Sequence, residues 1–387
     1  MFFSRRIGLQ NGVMVPITGG ARLTGRVGPY TVGAMSIRTD SSQAAGADAT
    51  TFSAFRVRRD VFSRSAIGLI ATARSASLVG DGSSQTFGID AAMAFYQNLE
   101  VNAYYAVSRS PNATRGRSSY RAQFRYAGDR YGAELDRLMV EPGFDPEVGY
   151  VNQRDMLSHT GNLRFSPRMT SWASVRKLSW EAAFEDIRST TGTLETLTGT
   201  GTFRIQREDG DEFNAVFEHT SDRPQKEFSV AGTTIPAGSY DFGNLRLTYM
   251  FGPRRPFIGS VAASRGGFYG GNRTEFSING RVSLTPRLLV EPNVSVNWLD
   301  LPAGEATTLL LSARANYTMT PRMSLTAWFQ ASSANNSIGT NVRFRWEYRP
   351  GSDLYVVYSD VRDTADRGFP ELLNRRFAVK FTRLLQL

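Results

Sequence analysis

The sequence predicts an all-β protein: a transmembrane antiparallel β-barrel of about 20 to 22 strands, with short periplasmic turns and longer extracellular loops. Three observations lead to this fold class. Apolar and polar residues alternate with a period of two, aromatic residues gather where the alternating stretches end, and turn-forming residues recur between the stretches.

The alternation is clearest in residues 341–348. Val342, Phe344, Trp346 and Tyr348 hold the even positions, and polar or charged residues hold the odd ones. Because successive side chains of a strand point to opposite faces, this segment has one apolar face and one polar face. We predict that the apolar face contacts lipid. In the last strand, Phe377, Val379 and Phe381 belong to the same face. Arg343, Arg345 and Lys380 are predicted to face the lumen. The same alternation recurs at 120–126, 276–284, 311–318 and 377–382.

A soluble β-sandwich is the alternative, since its strands also alternate. Two features of the sequence argue against it. The polar face repeatedly carries Arg, Asn and Glu, and the apolar face ends in aromatic residues beside the turns, at Tyr126, Tyr249, Phe251, Tyr317 and Trp346. An apolar band bordered by aromatic girdles, with a polar lumen, is the pattern of a transmembrane barrel.

The composition fits one barrel over residues 1–387. Hydrophobic residues make up 41% of the chain, and no apolar run approaches the roughly 20 residues of a membrane-spanning helix. The absence of cysteine excludes disulfides and thiolate metal sites. His159 and His219 lie far apart and show no ligand spacing, so no metal or cofactor is predicted.

The basic charge comes almost entirely from arginine. The net charge is +10, and only three of the 45 basic residues are lysines. Two interpretations stay open: a compositional bias of the source, or a surface that attracts anions such as lipopolysaccharide phosphates and acidic glycans. Nucleic acid is not predicted as a partner, because the arginines alternate with apolar residues along strands and form no single patch.

Ten tight turns divide the chain into hairpins. Three have the form Ser/Thr-Pro-Arg, and proline belongs in a turn because it lacks an amide donor. Ten hairpins give 20 strands, and residues 375–387 add a closing strand whose partner would come from residues 2–10 or from upstream. The turns lie at 28–29, 60–63, 97–98, 128–129, 166–168, 209–211, 252–253, 285–287, 320–322 and 350–351.

The opposite connections are longer and more polar. They are predicted to be extracellular loops, because the C-terminus and the tight turns share the other side. The predicted loops are 39–50, 75–86, 108–118, 137–160, 178–195, 219–239, 263–273 and 361–374.

Two segments depart from the alternation. Residues 1–20 are either a first strand or an inward-folded segment. Residues 137–160 are an inward-folded loop or a lid, because 141–155 combine apolar groups, acidic groups and two prolines that a solvated loop has no reason to display together. The candidate constriction residues are Phe144, Asp145, Glu147, Tyr150, Arg154 and Asp155.

The polar faces of the predicted strands supply a set of lumen candidates. Opposed arginines and carboxylates either line a water-filled pore or join neighbouring strands in cross-strand pairs. The candidates are Arg121, Arg125, Arg204, Arg246, Arg281, Arg314, Arg343, Arg345, Glu100, Glu134, Glu291 and Glu347.

No catalytic constellation is predicted. Asp155, Ser158 and His159 are the nearest approach to a hydrolase triad, but adjacent Ser and His on one strand point to opposite faces and cannot pair. The acidic cluster at 208–212 is interpreted as a charged turn rather than a calcium site, which needs several converging oxygens.

Four ordered motifs carry a resemblance to a known family: Phe3–Gly8, Pro16–Gly25, Phe55–Ser63 and Asp145–Tyr150. They resemble an uncharacterised bacterial outer-membrane family in which a domain similar to family-9 carbohydrate-binding modules precedes a large β-barrel. The resemblance runs from Phe2 to the C-terminus. It implies an outer-membrane barrel linked to glycans, and it implies no established activity.

The sequence therefore predicts a porin-like barrel of the bacterial outer membrane, for passage or binding of a polar, glycan-derived or anionic solute. Outer-membrane lipids and lipopolysaccharide are the expected surroundings. Residues 1–6 carry no secretory signal, so an upstream periplasmic or binding domain is expected outside this sequence. A barrel that anchors such a domain is the alternative function, and a hydrolase at the barrel rim is a third.

Overall fold

The computed structural model describes residues 2–111, 115–366 and 368–384. Apart from a short 3-10 turn at Ser4–Arg6, the regular elements in these ranges are all β-strands. No helix in the described ranges is long and apolar enough to span a membrane.

The strands follow one another through the chain. They are β1 (Leu9–Gln10), β2 (Val13–Met14), β3 (Ile17–Val27), β4 (Tyr30–Thr39), β5 (Thr50–Val61), β6 (Ser65–Arg74), β7 (Ser84–Phe95), β8 (Leu99–Arg109), β9 (Ser118–Ala127), β10 (Tyr131–Val140), β11 (Met156–Phe165), β12 (Val175–Arg188), β13 (Leu194–Arg207), β14 (Glu212–Asp222), β15 (Phe228–Val230), β16 (Thr233–Ile235), β17 (Tyr240–Phe251), β18 (Phe257–Phe268), β19 (Gly271–Thr285), β20 (Leu288–Leu301), β21 (Gly304–Thr320), β22 (Met323–Ser332), β23 (Ser337–Arg349), β24 (Ser352–Asp363) and β25 (Glu371–Phe381).

Within the described residues, 21 of these strands, β3–β14 and β17–β25, form one sheet that closes into a barrel. The predicted all-β barrel of about 20 to 22 strands is confirmed. The expectation that residues 2–10 supply a partner for the closing strand is wrong. Gly8 and Gly12 turn the chain with φ values of +78° and +77°, and β1 instead pairs with β2 in a separate two-stranded sheet.

The chain forms two compact units. The first unit comprises Met1–Phe165 and Ala182–Gly199, and the second comprises Ser166–Glu181 and Thr200–Leu387. In the first unit, β3 to β11 are successive antiparallel neighbours. In the second unit, β14 pairs with β17 across the small β15–β16 hairpin, and β17 to β25 continue in chain order.

Nine of the ten predicted tight turns are short connections, but the one at 166–168 is not. The chain takes residues 166–174 to pass from β11 to β12. After Pro167 it runs back beside the start of β12, where the Met169 N–H donates to the Arg176 carbonyl at 3.1 Å. Several predicted loops are also shorter than expected, because the strands continue into them. Only 141–155 of the predicted 137–160 loop is irregular, and 178–195 shrinks to 189–193.

The register separates the two faces of the sheet cleanly. In the second unit, Leu325, Phe344, Val356 and Val379 are direct neighbours across four strands. Arg343 lies on the opposite face, opposite Thr326 and Val357. We call the apolar face the outer face and the polar face the inner face. The outer face leaves large apolar side chains exposed in both units, including Leu69, Ile89, Leu135, Leu163, Leu245, Trp298, Trp346 and Phe377.

Aromatic rings cluster on the outer face where strands meet their tight turns. In the second unit, Tyr348 stacks on Phe381 with ring centroids 5.1 Å apart. In the first unit, Tyr131 stacks on Phe165 at 5.4 Å, and the Arg130 guanidinium lies over both rings. These rings have the position of the interfacial girdle that borders an apolar membrane band.

A buried carboxylate joins two tight turns of the second unit. Asp211, which is 1% exposed, accepts hydrogen bonds from the Tyr249 hydroxyl (2.6 Å), the Gly252 N–H (2.8 Å) and the Arg255 guanidinium (2.7 Å). The bonds from Arg255, Tyr249 and Gly252 hold the pKa of this carboxyl well below its usual range. The acidic cluster predicted as a charged turn therefore fastens the β13–β14 turn to the β17–β18 turn.

We expect Asp211→Ala to lower the free energy of unfolding by about 2–3 kcal/mol, because it leaves three donors without their acceptor. The expected cost lies below the roughly 3–5 kcal/mol of a fully buried ion pair, because Arg255 is 47% exposed and screened by solvent. Urea unfolding in phospholipid vesicles measures the change. Asp209→Ala, in the same turn but more exposed, is the control and should cost less than about 1 kcal/mol.

The same variant has a defined pH dependence. The folded-state pKa lies below the value of about 3.9 for an unfolded aspartate. The stabilisation is therefore complete above about pH 4 and is lost as the pH falls through the folded-state pKa. The stability difference between the unchanged protein and Asp211→Ala should narrow from pH 7 to pH 3. A difference that is constant over this range would contradict the role given to the ionised carboxylate.

Candidate functional site

The inner face of the first unit carries compensated charges. The Arg56 guanidinium pairs with Asp90 across β5–β7, and the Arg121 guanidinium pairs with Asp136 between β9 and β10. Arg125 lies between two carboxylates, 3.8 Å from Glu100 and 4.0 Å from Glu134. These pairs form a polar wall in which each of the three arginines faces at least one acid.

The inner face of the second unit repeats this arrangement. Its ion pairs are Arg204–Glu212 at 3.0 Å, Arg246–Glu275 at 3.1 Å, Arg314–Glu291 at 3.9 Å, Arg345–Asp353 at 2.9 Å and Arg345–Glu347 at 4.0 Å. Arg281 and Arg343 have no acidic partner within 4.0 Å among the described residues, and the Arg343 guanidinium lies 5.3 Å from the Tyr355 ring centroid. Ten of the twelve predicted lumen residues are therefore in ion pairs.

Several partners in these pairs were missed by the sequence analysis. Asp90, Glu212, Glu275 and Asp353 each pair with an inner-face arginine. Alternation assigns a residue to a face, but it does not say which residue of the next strand lies opposite. Counting outward from the 350–351 turn places Asp353 opposite Glu347 and diagonally beside Arg345, which could have suggested the Arg345–Asp353 pair.

Uncharged hydrogen-bonding side chains cross the inner face of the second unit. Ser260, Asn279, Asn293, Ser312 and Gln330 are direct neighbours on β18 to β22. We call these five residues the amide–hydroxyl row. Such groups donate and accept hydrogen bonds without a net charge. The row therefore offers neutral polar contacts between the ion pairs Arg246–Glu275 and Arg314–Glu291.

The segment 141–155, which joins β10 to β11, turns toward the inner face of the first unit. Phe144 is 3% exposed and packs with Ala106 and Val140. The Asp145 N–H donates to the Ser108 hydroxyl at 2.9 Å. Ala106 and Ser108 lie on the inner face of β8, because the register places Ser108 opposite Thr86 and Ala106 opposite Gly88. We call residues 141–155 the inner segment.

One buried carboxylate anchors the inner segment. Glu147 is 1% exposed. Its Oε1 accepts a hydrogen bond from the Ser77 hydroxyl at 2.5 Å, and its Oε2 accepts one from the Leu78 N–H at 2.8 Å. The Arg74 guanidinium nitrogen Nε lies 4.0 Å from Oε2 and is itself buried. A carboxylate so enclosed needs these partners, because burying an unpaired charge is costly.

The N-terminal residues pack on the inner segment and its neighbours. The Phe3 N–H donates to the Val148 carbonyl at 2.9 Å, and the Phe3 ring lies 6.1 Å from the Tyr150 ring. Gln10 accepts a hydrogen bond from Arg74 at 3.0 Å and donates to the Gly46 carbonyl at 2.8 Å. Residues 3–10 thus connect the inner segment with β6 and with the loop between β4 and β5.

The other predicted constriction residues have local roles. Asp145 pairs with Arg154 at 2.6 Å within the inner segment. Asp155 accepts hydrogen bonds from the Thr190 N–H at 3.0 Å and from the Thr190 hydroxyl. Tyr150 is 59% exposed, so its ring is accessible to a solute. The six candidates thus comprise two buried anchors (Phe144 and Glu147), an ion pair within the segment, a hydrogen-bonded link to the β12–β13 loop and one accessible aromatic ring.

The residues weighed as a hydrolase triad do not meet. Ser158 is opposite Leu138 and His159 is opposite Arg137, so their side chains lie on different faces. His159 Nδ1 is 4.0 Å from Asp186, while Asp155 bonds to Thr190. In the described part of the chain, no group of three or more His, Asp or Glu side chains could hold a metal ion.

The chain is similar to two solved structures. One is the ferric preacinetobactin receptor BauA from Acinetobacter baumannii, with 12% identity, coverage of 94% of this chain and 78% of that chain, and a TM-score of 0.43. The other is the ferric yersiniabactin uptake receptor FyuA from Yersinia pestis, with 10% identity, coverage of 93% and 68%, and a TM-score of 0.37. No family model and no curated protein matches the sequence.

The strand order and the two faces of the sheet identify the fold of this chain. A closed β-sheet leaves no unpaired edge in lipid, and here its outer face is apolar, its turn ends carry aromatic rings and its inner face is polar. The link to a carbohydrate-binding domain stays a prediction. The chain is a transmembrane β-barrel of the bacterial outer-membrane type.

Proposed function

We propose that this barrel lets a neutral polar solute of glycan type pass across the outer membrane, and that the inner segment is its constriction. The observation that carries the proposal is the chemistry of the inner face. Ion-paired arginines alternate there with the amide–hydroxyl row. A wall that offers many hydrogen bonds and little uncompensated charge suits a hydroxyl-rich solute better than an anion.

The paired arginines count against the anionic solute that the net charge of +10 first suggests. An arginine beside a carboxylate presents a local dipole, whose potential falls faster with distance than that of a single charge. Arg281 and Arg343 are the predicted lumen arginines with no such acidic partner among the described residues. Arginines elsewhere in the loops suit contacts with lipopolysaccharide phosphates, which agrees with the outer-membrane surroundings predicted above.

The inner segment supports the role of a constriction. Its Phe144 and Val148 are buried and its Glu147 is anchored, while Tyr150 remains exposed beside them. An ordered segment narrows a passage by a fixed amount, because its position does not fluctuate with the solvent. An anchoring barrel, by contrast, gives no reason for an aromatic side chain to stay accessible on an inward-turned segment.

The test is transport by the purified barrel in lipid. We expect liposome swelling with the neutral sugars glucose and sucrose, and a reversal potential near zero under a potassium chloride gradient. Asp136→Asn should shift the reversal potential toward anion selectivity, because it leaves the Arg121 charge uncompensated. Asp366→Asn, in the exposed β24–β25 loop, is the control and should leave selectivity unchanged.

Three results would contradict the proposal, and the first two point to a different function. Strong anion selectivity of the unchanged barrel would favour an anionic solute. A folded barrel that neither conducts nor permits swelling would favour the anchoring alternative. Equal shifts from Asp136→Asn and Asp366→Asn would show that the inner-face pairs do not set selectivity.

A further inference from the structure

A cavity of about 220 Å³ lies between the inner segment and the wall of the first unit. Tyr104, Leu138 and Met156 line it from the strands β8, β10 and β11. Phe144, Tyr150 and Val151 line it from the inner segment. The cavity therefore lies beside the exposed Tyr150 ring, next to the inner segment, which is the proposed constriction.

The cavity combines apolar walls with a few hydrogen-bonding groups. None of the described residues that line it is charged; its polar groups are Tyr104, Ser119, Tyr150, Asn152 and Gln153. A site lined largely by apolar and aromatic groups, with a small number of placed polar groups, is the usual composition of a small-molecule site. An ionised ligand would find no opposite charge in it and would lose its hydration shell.

The hydrogen-bond partners show which polar groups remain available. Ser119 donates to the Met139 carbonyl at 2.8 Å, so Tyr104 is the donor in the 3.0 Å contact between their hydroxyls, and the Tyr104 oxygen can still accept. Asn152 Oδ1 accepts from Tyr150 at 3.2 Å, which leaves its amide hydrogens. Gln153 donates to Glu195 at 2.6 Å, which leaves its carbonyl oxygen.

We propose that this cavity is a binding site for one neutral, hydroxyl-bearing ring of pyranose size. The Asn152 amide hydrogens donate to one ligand oxygen, and the Gln153 and Tyr104 oxygens accept from ligand hydroxyls, while the apolar walls contact the C–H face of the ring. The volume is below the roughly 300–1,000 Å³ of sites for drug-sized ligands, which restricts the ligand to a single ring. The proposal rests on the proposed function, because it names the substrate class at the same constriction.

Saturation-transfer NMR on the barrel in lauryldimethylamine oxide micelles tests the site without a competing glucoside detergent. The probes are glucose and galactose as neutral rings, gluconate as a charged analogue and cyclohexanol as a mostly apolar one. We expect transfer to at least one sugar and none to gluconate. Asn152→Ala should weaken sugar binding roughly tenfold, as expected for one lost hydrogen bond. Asn335→Ala, in the β22–β23 loop, is the matched control and should bind like the unchanged protein.

The outcomes separate this inference from the proposed function. Absence of transfer to either sugar, in a barrel that still passes sugar in liposomes, overturns the site and leaves the proposed function standing. If Asn152→Ala and Asn335→Ala bind sugar with equal affinity, the site is also overturned. Transfer to cyclohexanol alone would mark the cavity as an apolar one and contradict the proposed ligand class. If the barrel binds sugar at this site but passes none, the binding site stands and the proposed passage of sugar is refuted.

Discussion

Replacing residues 142–154 by a short Gly-Ser turn is expected to raise the single-channel conductance of the barrel several-fold. The replacement removes Phe144, Glu147 and Val148, the buried groups that hold the inner segment against the wall. The sheet itself should still close, because β10 and β11 keep their ten-residue register. Conductance in planar bilayers, with heat-modifiable migration on gels as a check of folding, measures the effect.

Two phenylalanine substitutions provide a matched comparison. Phe144→Ala should loosen the inner segment and increase conductance fluctuations, because it leaves a cavity beside Ala106 and Val140. Phe369→Ala, in a loop where Phe369 is 87% exposed, should leave the channel unchanged. Raising the salt concentration should have a small effect, since the Glu147 anchor is shielded from solvent. If the replacement of 142–154 leaves both conductance and its salt dependence unchanged in a folded barrel, the inner segment is not a constriction.

Phe344→Arg is expected to lower the free energy of unfolding by roughly 2–4 kcal/mol, the cost of an arginine near the midplane of the lipid face. Phe344 lies between Leu325 and Val356 on the outer face, so the new guanidinium would enter the apolar band. Urea unfolding of the barrel in phosphatidylcholine vesicles, followed by tryptophan fluorescence, measures the change.

Asn341→Arg is the control for this substitution. Asn341 lies on the same strand but on the inner face, opposite Trp328 and Ser359. An arginine there reaches water, so we expect a cost below about 1 kcal/mol. A higher cost at position 341 than at position 344 would contradict the register, because a slip by one residue exchanges the two faces.

The sequence was sufficient to predict the fold class because the deciding signals are local. The alternation along residues 341–348 and the Pro350-Gly351 turn lie within a dozen residues of each other, and the pairing of β23 with β24 follows from them. Nine of the ten tight turns were placed correctly for the same reason. The β11–β12 connection was not, because its length depends on the backbone contact between Met169 and Arg176 rather than on the Ser166-Pro167-Arg168 motif alone.

The candidate site was predictable only in part. Composition singled out residues 141–155, because apolar groups, acids and prolines in one connection are unusual for a solvated loop. It did not show that Glu147 meets Ser77, Leu78 and Arg74. No local pattern marks these partners, which come from another hairpin and its loop. The same holds for Phe3, whose contact with Val148 depends on how the N-terminal residues return over the sheet.

The anchoring of Glu147 also has a consequence for the order of assembly. Its partners Ser77 and Leu78 are 70 and 69 residues away in the chain, whereas the connections between neighbouring strands of the sheet are much shorter, even at 141–155 and 223–239. Closing a long stretch of chain costs more entropy than closing a hairpin, and it is repaid only after the intervening strands are in register. We infer that β6 to β10 pair first and that the inner segment docks last. The barrel then passes through a stage in which β6 to β10 are paired and the inner segment is not yet docked. Because the inner segment is the proposed constriction, we expect a newly inserted barrel to be more permeable than the mature one until Glu147 reaches its partners.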